Sequence, residues 1–135
     1  MTRRKKWVLG ILGGLVIAIV ALGFLLPMVA GKYFVGLHMK STTNELRNWG
    51  EEYSKVGSDG EAFRAIEVME YMSRYYVPGS GYRGPKEVEE ALQKQREASL
   101  KQVADALEKH TGNAYGTDVA KWKEWARSKG YKERE

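Results

Sequence analysis

The sequence predicts an all-α protein, with one amino-terminal transmembrane helix followed by a small domain of three to four helices. Three observations carry this. Residues 7–31 form a stretch of 25 residues without a single charge. The apolar residues after it recur at spacings of three and four, the period of a helix face. Long alternating runs of β-branched residues, the mark of strands, are absent.

Residues 1–6 are read as a cytoplasmic basic segment. Of the formal net charge of +5, Arg3, Arg4, Lys5 and Lys6 supply +4, and the first acid in the chain is Glu45. The basic balance is thus a topology signal. It argues against nucleic-acid binding, which calls for a basic stripe on the folded part. As a helix, residues 7–31 would span roughly 37 Å at about 1.5 Å per residue, against a hydrocarbon core of about 30 Å. Trp7 at one end and Tyr33 and Phe34 at the other suit the two membrane interfaces. Pro27, near the far end, is placed to kink or end the helix. A cleaved signal peptide is the rival reading, but its apolar region runs to only about 7–15 residues before a small-x-small site. Here Met28-Val29-Ala30 puts Met where a small residue belongs. An uncleaved anchor is expected. The block of four cations outweighs the dispersed Lys32, Lys40 and Arg47 on the other flank. This places the amino terminus in the cytoplasm and the rest outside the cytoplasmic (inner) membrane.

Residues 32–40 are expected to form a juxtamembrane linker, residues 41–131 the helical domain, and residues 132–135 a tail. Ser41, Thr42, Thr43 and Asn44 are good N-caps for a helix carrying Leu46, Trp49, Tyr53 and Val56, with Gly57 to end it. Ser58-Asp59-Gly60-Glu61 has the capping-box pattern. The helix after it, with Phe63, Ala65, Ile66, Val68, Met69, Met72, Tyr75 and Tyr76, has a wide apolar face and is expected at the centre of the domain. Pro85 opens the longest helix at its first position, and Thr111-Gly112 stops it. Within it, residues 93–97 are fully polar and are expected to cross solvent. A last helix begins near Thr117-Asp118 and bears Val119, Trp122, Trp125 and Ala126. Gly130 closes it, and Tyr131 folds back on it.

Leu107, Thr111-Gly112, Gly116, Asp118, Trp122 and Trp125 stand in the pattern L-x-x-x-T-G followed by G-x-D-x-x-x-W-x-x-W. This resembles the terminal helical unit of bacterial HEAT-repeat domains, over the C-terminal third of the chain only. The resemblance implies HEAT-like helical hairpins and a scaffold or protein-binding role, and it transfers no catalytic residue. A HEAT unit takes about 40–47 residues and an array needs at least three. The 104 residues after position 31 hold at most two, so a terminal or degenerate unit is expected.

Catalytic signals are weak throughout. Gly79-Ser80-Gly81-Tyr82-Arg83-Gly84 matches G-x-G-x-x-G, but a helix rather than a strand precedes it and Pro85 follows it, so it reads as an interhelical loop. There is no Cys, and His38 and His110 are the only histidines, which leaves no zinc spacing. Glu51-Glu52 and Glu89-Glu90 are sequence neighbours that diverge on a helix surface. No enzyme, cofactor or metal is expected. The cluster Tyr71, Tyr75, Tyr76 and Tyr82, with Trp49, Trp122 and Trp125, is first a packing feature. Two candidate contact sites remain. Gly10, Gly14, Ala18 and Ala21 put small residues on one face of the apolar helix, where a second helix or second copy could approach closely. Tyr82 and Arg83, at a loop tip, are placed to touch a partner. The function expected is that of a membrane-anchored, non-catalytic interaction or scaffold module for a protein partner. The alternative is a small accessory subunit of a membrane complex, recognised through its transmembrane helix.

Overall fold

The computed structural model describes residues 3–77 and 84–132, and only the backbone of residues 3–11 and of Lys32. Among the described residues the chain forms four helices and no strand: α1 (Arg3–Tyr53), α2 (Asp59–Arg74), α3 (Lys86–Thr111) and α4 (Val119–Ser128). The all-α reading holds.

The expected linker at residues 32–40 is instead helical. The apolar stretch and the first helix of the domain are one helix of 51 residues, with Pro27 inside it. The physical reason lies in the hydroxyls read as caps. Thr42 Oγ1 donates to the His38 carbonyl at 3.0 Å and Thr43 Oγ1 to the Met39 carbonyl at 2.8 Å. Both bond back to i−4 inside a continuing helix rather than forward to free amides at a helix start. α1 therefore exceeds α3, expected as the longest helix. It ends at Tyr53, ahead of Gly57.

The remaining ends follow their sequence signals closely. Ser58 caps α2 by accepting from the Glu61 amide at 3.3 Å, while Glu61 Oε2 accepts from Gly57 N–H at 2.8 Å. The reciprocal bond of the box thus falls one residue before the cap. These donors hold the Glu61 carboxyl below its usual pKa, the Gly57 amide foremost. Pro85 sits at the N-cap of α3, one residue before the helix proper, and Gly112 closes that helix at φ 75°. Asp118 caps α4 by accepting from the Lys121 amide at 3.2 Å. At the other end Gly130 (φ 87°) donates to Arg127 O and Tyr131 to Ala126 O, both at 3.0 Å. That pair of bonds is a Schellman motif, and Tyr131 folds back as expected.

α1 and α3 run parallel. Gly36 lies against Pro85 and Gly50 against Ser99, a constant offset of 49 positions. α2 runs antiparallel to both, with Tyr75 bonded to Glu45 and Asp59 to His110. It touches all three other helices, as expected of the central one, and α4 packs on its outer side. The core gathers Met39 and Leu46 of α1, Ile66, Met69 and Met72 of α2, Leu92, Val103 and Leu107 of α3, and Trp122 of α4. Trp122 is fully buried, and its indole N–H donates to Gly116 O at 2.7 Å. Glu108 Oε1 accepts from the Gly116 amide at 2.8 Å, so the turn after Thr111 is clasped from both sides.

The polar interval 93–97 does not cross solvent. Arg96 is 3% exposed. Its Nε donates to Met72 O at 3.2 Å, and its Nη2 donates to Tyr75 O at 2.5 Å and Tyr76 O at 2.8 Å. These carbonyls lie at the C-terminal end of α2 and in the turn after it, where helical acceptors run out of amide donors. Nη1 is held by Gln93 Oε1. Burial pushes the guanidinium pKa down and neighbouring Glu97 pushes it up, but an arginine stays charged in either case. Tyr76 is the one non-glycine among the described residues with positive φ, 54°. A left-handed conformation there costs about 1–2 kcal/mol, which the two bonds from Arg96 to this turn offset.

Replacing Arg96 by Met strands these carbonyls and is expected to cost about 2–4 kcal/mol in urea unfolding, since each lost partner exposes a desolvated group. The glycines give a paired test. A Cβ on Gly50 would lie 2.9 Å from Ser99 Cβ and 3.1 Å from its Cα, whereas one on Gly60 meets nothing within 4 Å. Gly50→Val is expected to lower stability by about 1–3 kcal/mol and Gly60→Ala to raise it by about 0.4–1 kcal/mol, both read as shifts of the thermal midpoint.

Candidate functional site

Three surfaces are candidates: the apolar half of α1, the end of the bundle next to it, and the opposite end. From Leu12 to Phe34, α1 carries large apolar side chains that nothing else in the described chain covers, with Phe24 as much as 79% exposed. Each would gain about 1.5–3 kcal/mol on leaving water. The stretch is far larger than the apolar patches monomeric proteins leave in water. α1 is the one helix among the described residues long and apolar enough to cross a membrane. Of the small-residue face, Gly14, Ala18 and Ala21 are exposed, and a Cβ on Gly14 would meet nothing within 4 Å. Gly10, like Arg3, Arg4, Lys5 and Lys6, is described by its helical backbone only.

The bundle begins at Val35 and Gly36. Here His38 Nε2 is hydrogen-bonded to the Tyr76 hydroxyl. Tyr75 lies edge-on to Tyr76 at 4.9 Å and to Trp49 at 5.4 Å, and Trp49 also meets Tyr71 at 5.4 Å. Three of the four tyrosines expected to cluster are thus joined through Trp49 along the α1–α2 seam, with Tyr71 exposed. Tyr82 and Arg83, the candidate partner contacts, lie outside the described residues. Tyr75 Oη donates to Glu45 Oε2 at 3.1 Å. Burial first, and then that carboxylate, push the Tyr75 pKa up to about 12.

At the opposite end a cleft of about 830 Å³ opens between the end of α1, the start of α2 and α3, lined by Ser54, Lys55, Gly57, Gln102, Asp105 and His110. Asp105, His110 and Glu61 of its lining serve the fold. Lys101 pairs with Asp105 at 2.7 Å along α3, and His110 meets Asp59 at 2.9 Å, tying the end of α3 to the start of α2. Glu61 at its edge is committed to Gly57. Among the described residues no three His, Asp or Glu side chains gather as a metal site, and every buried side-chain nitrogen and oxygen has a partner.

No family model matches the chain, and neither the curated proteins nor the solved structures provide a match.

Sequence reasoning passed over Arg96, and a signal for it was there. Leu92, Arg96, Ser99, Val103 and Leu107 follow spacings of four, three, four and four, a single helix face. Two polar members set in an apolar stripe mark a buried polar contact.

The Tyr75–Glu45 bond has a consequence at alkaline pH. The unfolded tyrosine ionises near 10 and the folded one near 12. The stability linked to neutral Tyr75, through its burial first and the Glu45 bond second, is therefore complete below pH 10 and is lost as pH rises from 10 toward 12. The wild-type urea midpoint is expected to fall more steeply between pH 9 and pH 11 than that of Tyr75→Phe. Equal slopes would remove the linkage.

Proposed function

We propose that this protein is a single-pass membrane-anchored helical module, non-catalytic, that presents a small domain outside the cytoplasm as an interaction or scaffold surface for another protein. The observation that carries this reading is the uncovered apolar half of α1, joined without a break to a well-packed bundle. A helix apolar on all its faces needs an apolar surrounding. Residues 7–31 are long enough to cross a bilayer core with some tilt, and the four leading cations orient the helix with the amino terminus inside. The non-catalytic part is supported by how the titratable groups are engaged, as caps, clasps and interhelical ties. The scaffold part is supported by the HEAT-like motif, whose Gly116, Asp118 and Trp122 all work in one turn and cap.

The chain has no Cys, so single-cysteine labelling tests the anchor and its orientation directly. The protein is expected to stay with membranes through an alkaline carbonate wash. Thr117→Cys is expected to react with a membrane-impermeant maleimide in intact cells. Release into the wash would reject the anchor, and labelling only after the membrane is opened would reverse the orientation.

A second reading is favoured by the open Gly14, Ala18 and Ala21 face. In it the chain is an accessory subunit of a membrane complex, or a homodimer, recognised within the membrane. Replacing Gly14 by Leu is expected to weaken such association severalfold in detergent crosslinking; unchanged association would reject this reading.

A further inference from the structure

The continuity of α1 beyond Gly31 fixes the height of the bundle above any membrane that α1 crosses, and that height has a consequence for the end of α2 and the start of α3. The inference rests on the membrane-span reading. The apolar run ends at Gly31, and close packing of α1 on the rest of the bundle begins at Val35 and Gly36, where a Cβ on Gly36 would lie 3.3 Å from the Pro85 ring. Five residues of helix rise about 7 Å. The headgroup layer on one side of a bilayer is about 5–8 Å thick. Gly36 and Pro85 therefore stand where headgroups give way to water. Gly84 is at the same level, within one turn of Met39 and Val35, and so is Tyr76, bonded to His38. Both ends of the α2–α3 connection are thus held at the membrane surface. The side chains there suit it: Leu37 is 45% and Val77 38% exposed, and Pro85 is exposed beside them. Neighbouring helices lie about 10 Å apart, so a tilt of about 20° moves this end by only some 3 Å, less than the headgroup layer is thick.

We propose that this end of the bundle, Val77 with Pro85 and the start of α3, beside Leu37, is a second membrane contact at the outer edge of the headgroup layer. The domain then stands on the bilayer as a foot beside its anchor, with the cleft of Ser54 and His110 directed away from the surface. Continuity with the span selects lipid as the occupant, because the rigid helix brings these residues to the headgroups before any other partner can reach them.

Full-length single-cysteine variants carrying a small fluorophore, in phosphatidylcholine–phosphatidylglycerol vesicles, test this. The four sites are Leu22, Val77, Lys86 and Thr117. Quenchers are lipids with a nitroxide on the headgroup or deep in the acyl chain. The Leu22 probe is expected to be quenched by the chain nitroxide, the Val77 and Lys86 probes by the headgroup nitroxide, and the Thr117 probe by neither. Lys86, fully exposed, guards against a folding defect at Val77. Quenching at Leu22 without headgroup quenching at Val77 and Lys86 would overturn the foot and leave the anchor standing. Absence of quenching at Leu22 would overturn the anchor, and the foot with it. Headgroup quenching at Thr117 equal to that at Val77 would replace the upright domain by one lying flat, and would overturn the proposal.

Discussion

Everything in this molecule is organised by the fact that α1 is one helix under two regimes. From Leu12 to Gly31 it is apolar on every face and uncovered. Its second half is amphipathic and packed, contributing Met39, Leu46 and the tight crossing at Gly50 to the core. Between them nothing breaks the backbone ladder. Gly36 is tolerated because Pro85 packs on it, and the threonines at 42 and 43 feed their hydroxyls back into the helix. An anchor joined to a domain by a flexible linker would decouple the two. Here the bundle inherits the direction of the helix from Met28 onward, past the one missing amide donor at Pro27.

The domain is held by a small number of well-placed contacts rather than by a large core. α1 and α3 run parallel, an arrangement that requires α2 to return between them, and two of the closest approaches use small residues, Gly36 against Pro85 and Gly50 against Ser99. Arg96 then closes the far side by taking three carbonyls from the end of α2 and the turn after it. A lysine could not reach all three at once, because the planar fork of the guanidinium sets its donors in fixed directions. α4 is attached to α2 by Trp122, by Tyr131 against Phe63, and by Lys123 paired with Glu70 at 2.9 Å.

Much of this was legible from residue order. The all-α class, the caps at Ser58, Asp118 and Gly112, the closure at Gly130 with Tyr131, and the inward face of the last helix all follow from short-range signals, which act over one or two turns. What was missed depends on partners far away in sequence. Ser41 to Asn44 look like caps until Thr42 is seen to be buried against another helix, where a continuing helix is the better use of its hydroxyl. The polar interval around Arg96 looks solvated until the end of α2 supplies carbonyls to it from about 20 positions away. Small residues stand out in the sequence at Gly14 and Ala18, where the described chain offers no partner. The glycines that bring helices together within this chain are Gly36 and Gly50. The candidate contacts Tyr82 and Arg83 stay a reading of the sequence.

The continuity of α1 across residues 32–40 can be read from a distance between two labels placed on either side of it. Spin labels at Val29 and Arg47, both exposed, are 18 residues and five turns apart and so share one helix face. The helix rise sets their separation at roughly 27 Å, and a single narrow distribution at that distance is expected in membranes by double electron–electron resonance. A broad distribution centred at shorter distance would mean a flexible linker between the apolar stretch and the bundle, and α1 would not be one helix.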